Sequence, residues 1–91
     1  MTEHYRVRLV ARNEGIEYSD GYGVYRFNVA LADKTWKVYL PGSKGNDFRS
    51  HALTEKEKDT ILPRIRQYLE SKRYFGVIGP RYPAVFEQKP L

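Results

Sequence analysis

The sequence predicts an α+β fold: an antiparallel four-stranded meander, one Pro63-kinked helix packed on one face, and an extended C-terminal segment over 77–91 able to add a fifth edge strand. Three observations carry this. Apolar residues alternate every second position up to about residue 40, they recur every third or fourth after Thr54, and a long loop over 41–53 separates the two periods. Ninety-one residues, 41% hydrophobic and 30% charged, make one domain with a modest core.

Tyr5, Val7, Leu9 and Ala11 alternate with Arg6, Arg8, Val10 and Arg12, as a strand buried on one face does. Asn13-Glu14-Gly15 is a turn signal, and Ile16–Ser19 a short second strand. Asp20-Gly21 predicts a two-residue hairpin loop into a long third strand over Tyr22–Leu31. Asp33-Lys34 predicts the next loop, Thr35–Leu40 the fourth strand, and Pro41-Gly42 its end. These loops pair Ile16 with Tyr25, Tyr18 with Gly23, Leu31 with Trp36, Val29 with Val38 and Phe27 with Leu40. Every one of these residues falls on one face, with Tyr5, Val7, Leu9 and Ala11, and that agreement fixes the registers. Trp36 is thereby a core residue.

Thr54-Glu55-Lys56-Glu57 is a capping box, and acidic Glu55, Glu57 and Asp59 suit the positive end of a helix. Ile61, Leu62, Ile65, Tyr68, Leu69 and the stem of Lys72 form its apolar stripe; Arg64, Arg66, Gln67, Glu70 and Arg73 face water; Gly76 is the expected stop. Pro63 deletes the bond to the Asp59 carbonyl, which predicts a kink or a short first turn ahead of the main helix. Tyr74-Phe75 before Gly76, and Tyr82 and Phe86 beyond it, are expected to cap the core ends. The prolines there leave two readings open, an edge strand or an arm lying on the sheet.

Composition narrows the function classes. The absence of cysteine removes disulfides, thiolate catalysis and cysteine-ligated zinc. No apolar run reaches the roughly 18 residues of a membrane span, and the first residues lack the apolar stretch of a signal peptide. A cytoplasmic protein with no membrane partner is the expectation. The net charge of +5 permits attraction to nucleic acid or acidic proteins. No metal or cofactor site is expected.

Two surfaces are candidate binding sites. The outer sheet face should present Arg6, Arg8, Arg12, Tyr22, Arg26, Lys37 and Tyr39, with Glu17 the acid among them. Guanidinium forks and exposed rings suit phosphates and stacked bases, yet the same residues serve protein interfaces and keep sheet faces soluble. The second candidate is the loop, through Ser43, Lys44, Arg49 and His51. Gly42-Ser43-Lys44-Gly45 has neither Walker A spacing nor the helix that should follow it. It matches the KH Gly-x-x-Gly clamp in letters only, and the aromatic octapeptide of RNA-recognition motifs is missing. His51 with His4, aided by Lys44 or Arg49, would be the acid–base pair of a metal-free ribonuclease. No Gly-x-Ser-x-Gly elbow supports a serine hydrolase. The expectation is a small non-catalytic binding domain that takes a protein partner or a second copy on the outer face. Single-stranded nucleic-acid binding through the same face is the alternative, and the ribonuclease-like enzyme a distant third.

Overall fold

Alternation through the first forty residues yields strands, and the capped apolar stripe after Thr54 yields one helix, in the computed structural model, which describes residues 4–12, 14–45, 49–72 and 79–88. The elements run β1 (Arg6–Val10), β2 (Gly15–Asp20), β3 (Gly23–Ala32), β4 (Thr35–Lys44), β5 (Ser50–His51), α1 (Glu55–Ser71) and β6 (Ala84–Gln88). The sheet has six strands in the order β1-β2-β3-β4-β5, with β6 also on β4. This is the α+β plan with one helix on the sheet that the periodicity predicts.

The hairpins refine the expected registers. β1 stops at Val10 because Ala11 and Arg12 take positive φ, 52° and 56°, to turn the chain. Asn13 lies outside the described residues. The second turn centres on Gly21-Tyr22 instead of Asp20-Gly21, so Asp20 pairs with Gly23, Tyr18 with Tyr25 and Ile16 with Phe27. The cause is local: Asp20 Oδ1 accepts the Tyr22 N–H at 2.8 Å, so aspartate braces the turn from its flank. The slip is two residues, so the side chains that remain paired between β2 and β3 keep their predicted face. In the third hairpin Asp33 and Lys34 both have positive φ, 53° and 59°, as a type I′ turn requires. Leu31–Trp36 and Val29–Val38 pair as expected.

The predicted Phe27–Leu40 pair gives way to a register shift between Arg26 and Asn28, and β4 continues through Pro41-Gly42 to Lys44. Beyond the shift Arg26 faces Ser43 and Tyr25 faces Lys44. Gly42 makes this possible. A Cβ there would run into the Arg26 carbonyl and the Phe27 ring. Part of the expected 41–53 loop is therefore strand; residues 46–48 lie outside the description.

The capping box forms as predicted. Glu57 N–H donates to Thr54 Oγ1 at 3.1 Å, and Thr54 N–H donates to Glu57 Oε1 at 2.9 Å. Ile61, Ile65 and Leu69 are buried against Ile16, Tyr18, Tyr25, Phe27, Val29, Trp36 and Val38. Pro63 lies exposed within an unbroken helix, so no separate first turn splits off. The helix ends at Ser71 with Lys72 as its cap, ahead of the expected Gly76; Arg73, Tyr74, Phe75 and Gly76 fall outside the described residues. Arg64 does not simply face water. Its Nη1 donates to the Tyr18 hydroxyl at 2.7 Å, and its guanidinium lies 4.3 Å from the Tyr5 ring centre.

Of the two readings for the C-terminal segment, the structure has the strand. β6 pairs in parallel with β4, from Trp36–Ala84 to Leu40–Gln88. Pro83 takes part through its carbonyl, which accepts the Trp36 N–H at 2.8 Å. Glu70 Oε2 accepts the Ala84 N–H at 2.9 Å and ties the strand to the helix. β6 thus extends the sheet at β4, and among the described residues no element covers the outer face.

Candidate functional site

Pairing sets the outer face in rows across the strands. One row runs Arg8, Glu17, Arg26, Ser43, Ser50. The next runs Val10, Gly15, Asn28, Tyr39, Glu87, and Ala30, Lys37 and Val85 lie beyond it. Arg6, Ser19 and Val24 form the row on the other side. Glu17 organises the centre. Arg8 Nε donates to its Oε1 at 3.0 Å with Nη2 2.9 Å from the same oxygen, and Arg26 Nε donates to its Oε2 at 3.0 Å with Nη2 also 3.0 Å from it. Burial alone would raise the Glu17 pKa; the two guanidiniums outweigh it and hold the carboxylate below its ordinary value. Both arginine side chains stay about half exposed, at 56% and 45%. Charge-assisted bonds therefore fix two arginines in place while leaving them open to solvent.

Beside this row is an open depression of about 530 Å³. Val10, Ala11 and Pro41 give it apolar walls, Arg26, Asn28 and Ser43 give it donors, and Glu14 also lines it. The β4 register shift and the left-handed β1–β2 turn shape its two ends.

The opposite face carries a second glutamate-centred cluster. Glu57 Oε1 accepts the Thr54 N–H and lies 3.0 Å from His51 Nε2. Its Oε2 accepts the Tyr25 hydroxyl at 2.7 Å and lies 3.6 Å from Lys44 Nζ. Lys44 Nζ also sits 5.0 Å from the Tyr25 ring centre. Gly23, at φ 153°, leaves room for the lysine stem: a Cβ there would meet Lys44 Cε at 3.0 Å. Burial would raise the Glu57 pKa, but the Thr54 N–H, the Tyr25 hydroxyl and His51 reverse this and bring it to about 2. Burial and the Glu57 carboxylate raise the Tyr25 pKa. The Tyr25 hydroxyl, with help from Glu57, holds the Lys44 ammonium above its ordinary value.

Rings extend the cluster into a ladder: Tyr5–Tyr18, Tyr18–Tyr25 and Tyr25–His51 centroids are each 5.9 Å apart. Burial, with Asp20 accepting its proton, pushes the Tyr18 hydroxyl up to about 12 against the opposing pull of Arg64. A cleft of about 220 Å³ opens beside Glu57, lined by Asp20, Tyr22, Lys44, Lys56 and Thr60 among others.

The sequence-predicted residues divide between these places. Arg6, Arg8, Arg26, Lys37, Tyr39 and Ser43 are on the outer face. Arg12 and Tyr22 are corrected to turn positions, Tyr22 at the rim of the inner cleft and 70% exposed. Lys44 and His51 point to the helix side and join Glu57. Arg49 is exposed just ahead of β5. His4 lies in a separate hollow with Arg6 and Ser19, so the structure does not bring the two histidines together. Sequence reasoning gave Glu57 only its capping role; the partners it gathers from β3, β4 and β5 depend on tertiary pairing. Among the described residues, no group of three or more His, Cys, Asp or Glu is placed to hold a metal ion, and no helix is long and apolar enough to cross a membrane.

Comparison with protein-family models, curated proteins and solved structures gives no match for this chain.

Proposed function

We propose that this chain is a non-catalytic interaction domain whose uncovered outer sheet face docks an acidic surface of a protein partner. The observation that carries this is the Arg8–Glu17–Arg26 bridge, which presents two half-exposed arginine side chains in fixed positions on a face that no described helix covers. Around it stand Arg6 and Tyr39, of the arginine and aromatic types that interfaces favour, with Lys37 and the partly exposed Val10 and Val24 beside them. The cations Arg6, Arg8, Arg26 and Lys37 outnumber the carboxylates Glu17, Glu87 and Glu14 on this face. That excess argues for an acidic partner over a second copy, whose identical face would oppose like charges.

Nucleic acid is the second reading, favoured by the same cationic excess. One feature weighs against it: among the described residues Tyr39 is the one tyrosine that the registers leave on this face, too few rings for a run of stacked bases. In the inner cluster Glu57, held near 2 with both oxygens engaged, is a poor general base at neutral pH.

Fluorescence anisotropy with labelled poly-glutamate and a labelled mixed-sequence single-stranded oligonucleotide separates the readings. The expected result is stronger binding of poly-glutamate, abolished by Arg8→Glu with Arg26→Glu. Tighter binding of the oligonucleotide, falling steeply with salt as counterions are released, would replace this reading with the second.

A further inference from the structure

The outer-face depression has a chemistry the rest of the face lacks. Its walls are apolar at Val10, Ala11 and Pro41, its donors are Arg26, Asn28 and Ser43, and its volume of about 530 Å³ exceeds that of any single side chain. It is flanked on one side by the Arg8–Glu17–Arg26 row and on the other by Lys37, one row beyond Asn28. Interfaces draw most of their energy from an anchor side chain seated in such a hollow, ringed by polar contacts that exclude water.

Resting on the function proposed above, we infer that the partner presents a short segment with one apolar or aromatic anchor between acidic residues. The anchor enters the depression, and the flanking carboxylates meet the guanidiniums on one side and Lys37 on the other. Glu14, which also lines the hollow, accounts for the order of these groups. A carboxylate entering the hollow itself would face Glu14, whereas a neutral side chain does not. Glu17 keeps Arg8 and Arg26 in place before binding, so less ordering is required as the segment docks. The fold supplies the hollow through two irregularities, the register shift at Gly42 and the left-handed residues Ala11 and Arg12. A regular meander with the same outer-face residues would be flat there.

The test is selection of short random peptides displayed on phage against the immobilised, full-length chain. Selected peptides are then measured against wild type, Asn28→Phe and Ser50→Phe, two exposed positions where a ring crowds the hollow, and against Arg8→Glu. The expected outcome is a consensus of one aromatic or aliphatic residue flanked by Asp or Glu, with affinity reduced about tenfold or more by Asn28→Phe. Ser50→Phe should give the same loss from the opposite rim, so a folding defect in one variant leaves the other to decide. An acidic consensus without an anchor, insensitive to both ring variants but lost in Arg8→Glu, overturns this inference and leaves the acidic-partner reading intact. Basic peptides, or no enrichment at all, overturn both.

Discussion

Two glutamates organise the two faces of this sheet, and they do different work with the same chemistry. Glu17 draws in Arg8 and Arg26 from neighbouring strands of one exposed surface. Glu57 draws in Thr54, Tyr25, His51 and Lys44, joining the helix start to three strands. Around Glu17 the donors are arginine heads that remain in solvent. Around Glu57 they include a backbone N–H and a hydroxyl on a buried ring, and they bring the carboxylate to about 2. The contrast teaches that the number of charged groups does not decide what a cluster is for. What decides it is whether the partners are consumed in holding elements together or remain presented outward.

Gly42 stands between the two clusters, with Ser43 of the outer row beside it and His51 paired across from it. Gly42→Ala should disturb both at once. The added Cβ meets backbone and a core ring, so the loss should be on the order of 3 kcal/mol or more in urea denaturation. A near-neutral effect would mean that the register shift is not required.

Next in size is the contrast itself. Glu57→Gln removes the charge that Lys44 and His51 face and weakens the cap, for an expected loss of about 2 kcal/mol at neutral pH. Glu17→Gln breaks bridges to half-exposed arginines and should cost under ~1 kcal/mol. Equal losses would erase the distinction between the clusters.

The pH dependence sharpens it. Glu57 has a folded pKa depressed to about 2 from 4.5, so its contribution is fully present above about pH 4.5 and is lost as pH falls toward 2. The acid limb of the stability curve should flatten in that window in Glu57→Gln, and less so in Glu17→Gln. Tyr18 behaves oppositely. Its folded pKa is raised from 10 to about 12, so its contribution is present below about pH 10 and is lost as pH climbs through 12. Tyr18→Phe should flatten that alkaline limb, and thermal melts across the range read both. The smallest stability effect belongs to Arg8→Ala with Arg26→Ala, expected within about 1 kcal/mol of wild type while binding on the outer face is lost.

Much of this was legible in the sequence. Alternation assigned Arg8, Arg26 and Lys37 to one face and Trp36, Phe27 and Tyr25 to the other, because a strand's period is two and a two-residue slip leaves it unchanged. Thr54 and Glu57 announced the helix start. Three things were not legible. Asp20 could brace a turn from its flank or form its centre, and the letters are the same for both. Pro41-Gly42 reads as a strand end, and only the packing of Gly42 on Phe27 turns it into a register shift. The gathering of Tyr25, Lys44 and His51 on Glu57 needs residues 32, 13 and 6 positions away, which no local pattern encodes.

The most direct test of the central claim, that the outer face and not the Glu57 cluster is the docking surface, is an amide chemical-shift map of isotope-labelled protein titrated with poly-glutamate. Shifts confined to Arg6, Arg8, Arg26, Asn28, Lys37, Tyr39 and Ser43 are the predicted result. Shifts centred on Tyr22, Lys44, His51 and Lys56 would contradict it.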